Sequence, residues 1–531
     1  MRMARDEHNA AMDDLVTSFK HIRFLGAEGI GMSALIRILE GQIKAGVKEP
    51  SLKISRSDLA YEKNRPVSSK LCFEETGRLK KVATAPLGAS CPNDNSDFRN
   101  KSNDALSDDI DLVVRSTAIA ESDPDYVELK SRGLEIWHRS DMLNFLTEGY
   151  KQVVVSGTHG KTSCSAILSH ILVEAGLEPC FAVGGILKNY DSNGQFGKGE
   201  YFVLEGDESD KSFTKTSPYL ALVTNIEPDH LENYPGGIKE IKQCFFDFLD
   251  RAEIRIICTD NSILQEYLDR HVAKASRDDK PLITYSLKEL KNYDLDFILK
   301  GKYNQLNALG CIKAAEALGV KKEIAEKALK SFTGIKRRFE LINKNYCHPE
   351  PLRRSAPLDR LRDGPNTKSL PKTNPLDPSA SPQDDTCKVY DDYAHHPTEV
   401  KALLEATLSL NPKKLLFVYQ PHHPERTQQF WNEFIEVFKN FPQEHKCLIA
   451  DIYVARSKHI DGVNSERLVE EINNPAVKYL APLTHSKTSQ GNIKDMTAAL
   501  KPSIDAELEG CDYLFIVGAG DISKIVPAFK T

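Results

Sequence analysis

Residues 151–163 read KQVVVSGTHGKTS. The order of those letters decides the fold: an apolar run, a turn bracketed by glycines, then a lysine and a threonine that open a second apolar run. Val153, Val154 and Val155 suit a strand buried on both faces of a parallel sheet. From Thr162 onward, TSCSAILSHILVEAG has the apolar spacing of a helix packed on that sheet. Gly157, Thr158, His159, Gly160, Lys161, Thr162 and Ser163 therefore make a strand-to-helix turn. Glycines let backbone N–H groups approach phosphate oxygens, and the start of a helix favours an anion. Lys161 would reach the β- and γ-phosphates of a nucleotide, and the Thr162 hydroxyl would ligate Mg²⁺. The general G-x-x-x-x-G-K-T pattern asks for glycine at 155, which is valine, so a plain strand-to-helix turn is the competing reading.

Working outward, 531 residues suggest about three domains, each able to bury a core. The 70 basic and 76 acidic residues nearly cancel, and a net charge of −6 leaves no electrostatic footprint for nucleic acid. An anionic substrate would have to find local basic groups. No apolar run approaches the roughly 20 residues of a membrane span. The start, MRMARDEHNAAMDDL, lacks the apolar centre of a signal peptide. The expectation is a cytoplasmic protein, without membrane insertion, with its 11 scattered cysteines reduced.

Before the central turn, HIRFLGAEGIGMSALIRILE (His21 to Glu40) reads as strand, glycine turn and helix, a second candidate phosphate site at Gly26, Gly29 and Gly31. Glu28 holds the middle position that G-x-G-x-x-G would give to glycine. IDLVVRSTAI (110–119) and LEIWHRSDML (134–143) read as strands of the same sheet, with Ser116 at a strand end, where ligands bind in such folds. Residues 60–108 are polar and irregular and read as an insertion. After the central turn, strands alternate with helices, which predicts a doubly wound parallel sheet. Two strand ends carry acidic groups: Glu205 with Asp207, Glu208 and Asp210, and Asn225 with Asp229 and His230. Beside a phosphate loop such groups can hold Mg²⁺; alone they are solvated turns.

Asn304 and Asn307, in GKYNQLNALG, could cap a helix or read an adenine edge. Lys336, Arg337 and Arg338 form a short basic run. Residues 347–387 hold eight of the 27 prolines and read as a disordered insertion. The third α/β unit opens on KVYDDYAHHPTEVKALLEA, where Asp391, Asp392, His395 and His396 follow a strand and Pro397 precedes a helix. Substrate or nucleotide binding, metal ligation and helix capping all remain open there. LLFVYQPHHPERT (415–427) and YLFIVGAGDI (513–522) are further strand-to-loop units.

Taken together, GAEGIGMS, GTHGKT, GDESD, TNIEPDH, KRRF, DDYAHHPTE and GAGDI, in this order and spacing, resemble the Mur ligases. The resemblance covers most of residues 20–527. It implies three α/β domains: a Rossmann-like UDP-sugar domain at 18–148, a P-loop ATPase-like domain at 149–336 and a Rossmann-like ligase domain at 337–531. Within the family it points to the branch that joins L-alanine to the carboxylate of UDP-N-acetylmuramate in peptidoglycan precursor synthesis, with ATP and Mg²⁺ as cofactors. Tripeptide addition to the same sugar, or a nucleotide-binding relic with impaired sugar binding, are the alternatives. The implied catalytic residues are Lys161, His230 and Arg338. The turn from Gly157 to Ser163, with Asn304, Asn307 and Asp391, would hold ATP. Thr162, Glu205 and His230 would hold the metal. Gly29, Gly31, Ser116, His395, His396 and Arg426 would meet the substrates. The protein is expected to be a monomer or weak homodimer. Glu28, Arg56, Tyr303 and His423 depart from the family pattern.

Overall fold

The computed structural model describes residues 19–27, 29–45, 52–57, 106–273, 280–347, 386–454, 459–482 and 495–530. Glu28 and nearly all of the two expected insertions lie outside these residues. By compactness the chain divides into two units. One comprises residues 1–154, 177–184 and 193–219; the other comprises residues 155–176, 185–192 and 220–531.

Among the described residues, three sheets carry the architecture. The first joins β1 (His21–Leu25), β2 (Lys53–Ser57), β3 (Leu112–Arg115) and β4 (Glu135–His138) in the order β2-β1-β3-β4. Every pairing in it is parallel. Leu25, Ile110, Val113 and Ile119 pack with Tyr126 and Leu129 into one apolar cluster against it. The strand read at 134–143 stops at His138. There the His138 side chain accepts from the Ser140 N–H and Asp141 accepts from the His138 N–H, a capping box that turns Arg139–Thr147 into a helix.

The second sheet runs β11-β10-β9-β5-β8-β6-β7. Its strands are β5 (Lys151–Ser156), β6 (Cys180–Leu187), β7 (Ser192–Gln195), β8 (Tyr201–Glu205), β9 (Leu220–Val223), β10 (Ile254–Cys258) and β11 (Leu282–Tyr285). Pairing is parallel from β9 through β11 and between β6 and β8. The helix Lys161–Glu174 is buried from Thr162 through Leu172. Its neighbour is the alanine-rich helix Lys302–Ala317, where the Cys311 thiol lies 3.2 Å from the Cys164 carbonyl. Small side chains on both helices allow that approach.

The third sheet joins β12 (Glu340–Cys347), β13 (Thr386–Asp392), β14 (Leu415–Tyr419), β15 (Lys446–Ala450), β16 (Val477–Leu480) and β17 (Tyr513–Val517). Its order is β12-β13-β17-β14-β15-β16, parallel except for the antiparallel β12–β13 edge. β14 and β17 are buried along their whole length, as strands covered on both faces must be. Parallel sheets end their strands on one side, and polar loops gather there.

Candidate active site

The glycine turn after β5 is held open by its neighbours. Gly157 sits at φ +133°, and a Cβ there would meet the Thr224 hydroxyl at 2.2 Å, so only glycine fits. Gly160, at φ +85°, caps the helix Lys161–Glu174 without any side-chain cap, at the helix end that favours an anion. The Asn225 carboxamide grips the middle of the turn from both sides. Its Oδ1 accepts from the His159 N–H at 2.9 Å, and its Nδ2 donates to the His159 carbonyl at 3.0 Å. Nδ2 also lies 3.0 Å from the Tyr303 hydroxyl. Lys161 folds back over the turn, donating to the carbonyls of Gly157 (2.8 Å) and Thr158 (3.0 Å). Thr162 and Ser163 are buried in the first helical turn.

A cleft opens beside this turn. Gly160, Ser163, Asn304, Arg338, Asp392 and Glu399 are among the residues that line it. Asn304 and Asn307 lie inside the helix Lys302–Ala317, whose cap is Gly301, so neither is a capping residue. Asn304 donates to the Lys300 carbonyl at 2.8 Å. Asn307 lies against Gly160, 3% exposed, with its Nδ2 buried and unpartnered. Arg338 comes within 4.0 Å of Glu399 and stands over the Tyr393 ring.

Asp391 and Asp392 separate in role. Alternation along β13 points them to opposite faces, and it is Asp392 that lines the cleft, accepting from the N–H groups of Phe339 and Ala394 at 2.7 Å each. Asp391 lies 3.7 Å from the Arg337 guanidinium, which donates to the Gly518 carbonyl at 2.7 Å. Burial raises the Asp391 carboxyl to about 7, the Arg337 charge only partly opposing it.

The paired histidines also diverge. His396 caps the helix Pro397–Leu408: its Nδ1 accepts from the Thr398 N–H, and Glu399 accepts from the His396 N–H. Capping, left open by the sequence, is thus its observed role. Its ring lies 4.5 Å from that of His159, and burial lowers its pKa to about 3. His395 turns toward His422, 5.6 Å between rings, and burial lowers it to about 4. Arg426 lies 3.4 Å from Asp229. Burial works to raise Asp229, yet Arg426 and His230 hold it at about 2. His230 itself pairs with Asp229 at 3.6 Å.

In the other unit, Glu205 ends β8 and accepts from the Gly184 N–H at 2.6 Å. Gly29 opens the helix Ile30–Lys44. A Cβ on Gly26 would touch Ser116 at 3.0 Å, and one on Gly31 would meet the Arg139 guanidinium at 2.9 Å. Gly31 and Ser116 therefore each border the end of the first sheet. Arg56 pairs with Glu40. His423 precedes the helix Pro424–Gln429 in the left-handed region.

Residues 155–315 match the Mur ligase middle domain, and residues 381–520 match the Mur ligase glutamate ligase domain. Over 528 residues the chain is 30% identical to the UDP-N-acetylmuramate–L-alanine ligase of Carboxydothermus hydrogenoformans, covering 95% of each chain. The chain is a Mur ligase. It is also 30% identical over 537 residues to the UDP-N-acetylmuramate–L-alanine ligase of Fusobacterium nucleatum, covering 96% of each. Among solved structures it resembles in fold the UDP-N-acetylmuramate–alanine ligase of Thermotoga maritima. That likeness has TM-score 0.60 at 20% identity and covers 96% of this chain and 98% of the other.

Several side chains of this Mur ligase take parts that sequence reasoning left open or did not name. Asn225 holds the glycine turn, Asp392 rather than Asp391 faces the cleft, and Arg139 adjoins Gly31. Only Asp392 had a usable signal, since strand alternation assigns adjacent aspartates to opposite faces.

Proposed function

We propose that this Mur ligase couples ATP cleavage to amide formation between the UDP-N-acetylmuramate carboxylate and L-alanine, in peptidoglycan precursor synthesis. The observation that carries the reading is the cleft where Gly160, Asn304, Arg338 and Asp392 converge on the glycine turn. The relatives that match along nearly the whole chain are named for this reaction.

The residues present fit a nucleoside triphosphate. Gly157 lies where no Cβ can enter, and the first helical turn after Gly160 has no side-chain cap. The turn would cradle the β- and γ-phosphates through backbone N–H groups, and Lys161 would exchange its two carbonyl partners for phosphate oxygens. Asn304 and Asp392 would meet the base and ribose. Arg338 would face the charge that develops on the transferred group.

Hydroxyl and carboxylate oxygens suit a hard cation, so Thr162, with His230 directly or through water, is proposed for Mg²⁺, and Glu205, in the other unit, is proposed separately as a carboxylate of the kind that holds it. The metal would neutralise phosphate charge as the carboxylate approaches. In the reaction the sugar carboxylate oxygen attacks the γ-phosphorus and ADP leaves. The alanine amine then attacks the acyl carbon, loses a proton, and phosphate departs. His395, His396 and Arg426 belong to the substrate side of this reading, and Gly29, Gly31 and Ser116, with Arg139 as an added cation, to the sugar-nucleotide side. The proposed domain bounds, 18–148, 149–336 and 337–531, each enclose one sheet.

Among the described residues no helix is long and apolar enough to cross a membrane. A cytoplasmic monomer or weak homodimer is the proposed state. The test is phosphate release from ATP and Mg²⁺ with UDP-N-acetylmuramate and a panel of L-alanine, other amino acids and a murein tripeptide. Release with L-alanine above all others is expected. No release with any acceptor refutes the ligase reading, and preference for tripeptide moves it to the recycling branch.

A further inference from the structure

The His159 side chain, in the middle of the glycine turn, enters a buried cluster. It is 3% exposed. Its Nε2 lies 3.4 Å from the Glu227 carboxylate and its Nδ1 lies 3.4 Å from that of Glu399. The two carboxylates come from segments far apart in the chain, Glu227 from the loop after β9 and Glu399 from the first turn of the helix Pro397–Leu408. The Thr398 hydroxyl donates to Glu227 at 2.9 Å, closing a second link between the same segments. Around this core stand the His396 ring at 4.5 Å from His159, His395 at 3.4 Å from Glu399, Arg338 at 4.0 Å from Glu399, and Asp229, whose charge His396 feels.

We propose that Glu227 and Glu399 are positioning residues for phosphoryl transfer: they clamp the His159 imidazolium, and so fix the loop carrying Lys161 to the segment Asp391–Glu399. This rests on the ligase reading. The clamp joins the two groups of residues that the reaction has to bring together, the phosphate cradle and the strand end bearing Asp392. Burial alone would strip the proton from His159, but the contacts with Glu227 and Glu399 outweigh it and hold the ring charged up to about 9. Burial likewise opposes charge on Glu399, and His395, His159 and Arg338 more than offset it.

Two residues of the clamp, His159 and Glu227, together with His396 approach closely enough to suggest a metal site. The tautomer argues against it. His396 Nδ1 accepts from the Thr398 N–H, so a neutral ring carries its proton on Nε2, the one atom left to face a cation. A proton on His159 sets one positive charge 3.4 Å from each of the two carboxylates without breaking that cap.

The experiment uses the full chain and the variants Glu399→Gln and Glu227→Gln. Glutamine keeps an acceptor for the helix cap and removes only the charge. Histidine titration by NMR should show the His159 pKa falling by about one unit or more in each variant. kcat/KM for ATP should fall about tenfold at pH 8, with the alkaline limb of the pH profile moved to lower pH. Glu399→Asp, which restores charge, should recover part of the pKa. An unchanged His159 titration and unchanged ATP kinetics in both glutamine variants overturn the proposal. So does stoichiometric zinc in the wild-type chain that is lost in His396→Gln. If the wild type releases no phosphate with its substrates, the ligase reading fails, while the NMR titration still reports on the clamp.

Discussion

The sharpest structural demand falls on Gly157, and Gly157→Ala measures it. At φ +133° an alanine occupies backbone space reserved for glycine, at a cost of roughly 1–3 kcal/mol. The added Cβ would also stand 2.2 Å from the Thr224 hydroxyl and near 3 Å from the Asn225 backbone. The hydroxyl cannot move away freely, because it donates to the His159 carbonyl at 2.6 Å. Losing that bond adds about 1 kcal/mol. A total of about 2–4 kcal/mol, falling on the phosphate-ready form of the turn, corresponds to roughly a 30- to 1,000-fold loss of ATP affinity. Calorimetric titration with ATP reads this directly. Gly133→Ala is the control: it sits at φ +73° with nothing within 4 Å of an added methyl, so it pays the backbone cost alone and leaves ATP binding unchanged. An ATP affinity within about threefold of wild type in Gly157→Ala would refute the close-packed cradle.

Further outcomes follow from the same geometry. Lys161→Ala should abolish phosphate release while melting temperature stays near wild type, since the bonds from the ammonium to the Gly157 and Thr158 carbonyls lie within one turn and tie no distant segments together; retained turnover would remove Lys161 from the chemistry. Asp391 carries a pH signature. Its folded pKa of about 7 exceeds the ordinary 3.8, so the folded chain holds a proton that the unfolded chain has released. Stability should therefore fall as pH rises from about 4 to about 7. Asp391→Asn should remove that contribution, gaining most over wild type near pH 8; parallel melting curves for the two proteins across pH 4–8 would disprove it. Replacing residues 348–385 by Asn-Gly should preserve melting temperature and turnover, because Cys347 and Thr386 are already paired as antiparallel neighbours. Loss of folding would show that the segment is needed.

Much of the fold was legible because its signals are local. Three valines before a glycine turn, buried helix periodicity after it and recurring strand-to-loop units lead to three largely parallel sheets. Local pattern misplaced one boundary: LEIWHRSDML looks like a strand throughout, yet the His138 and Asp141 capping box starts a helix at Arg139. The site was legible in parts. Lys161 and Thr162 follow from motif chemistry, but the contacts of His159 with Glu227 and Glu399 join positions 68 and 240 residues away, a distance no periodicity spans. Asn307 shows the same limit: the sequence offered a helix cap or an adenine edge, and its packing against Gly160 could be seen only in the structure.

The antiparallel edge of the third sheet has a practical consequence. Where Cys347 faces Thr386, the chain leaves and re-enters the sheet at adjacent points. The entropy of closing a loop grows only with the logarithm of its length, about 0.6 kcal/mol per doubling. This edge is thus a natural docking port for protein engineering: a folded reporter whose own termini lie close together could be spliced between β12 and β13, at the end of β13 opposite Asp392, and read out the enzyme without touching the cleft.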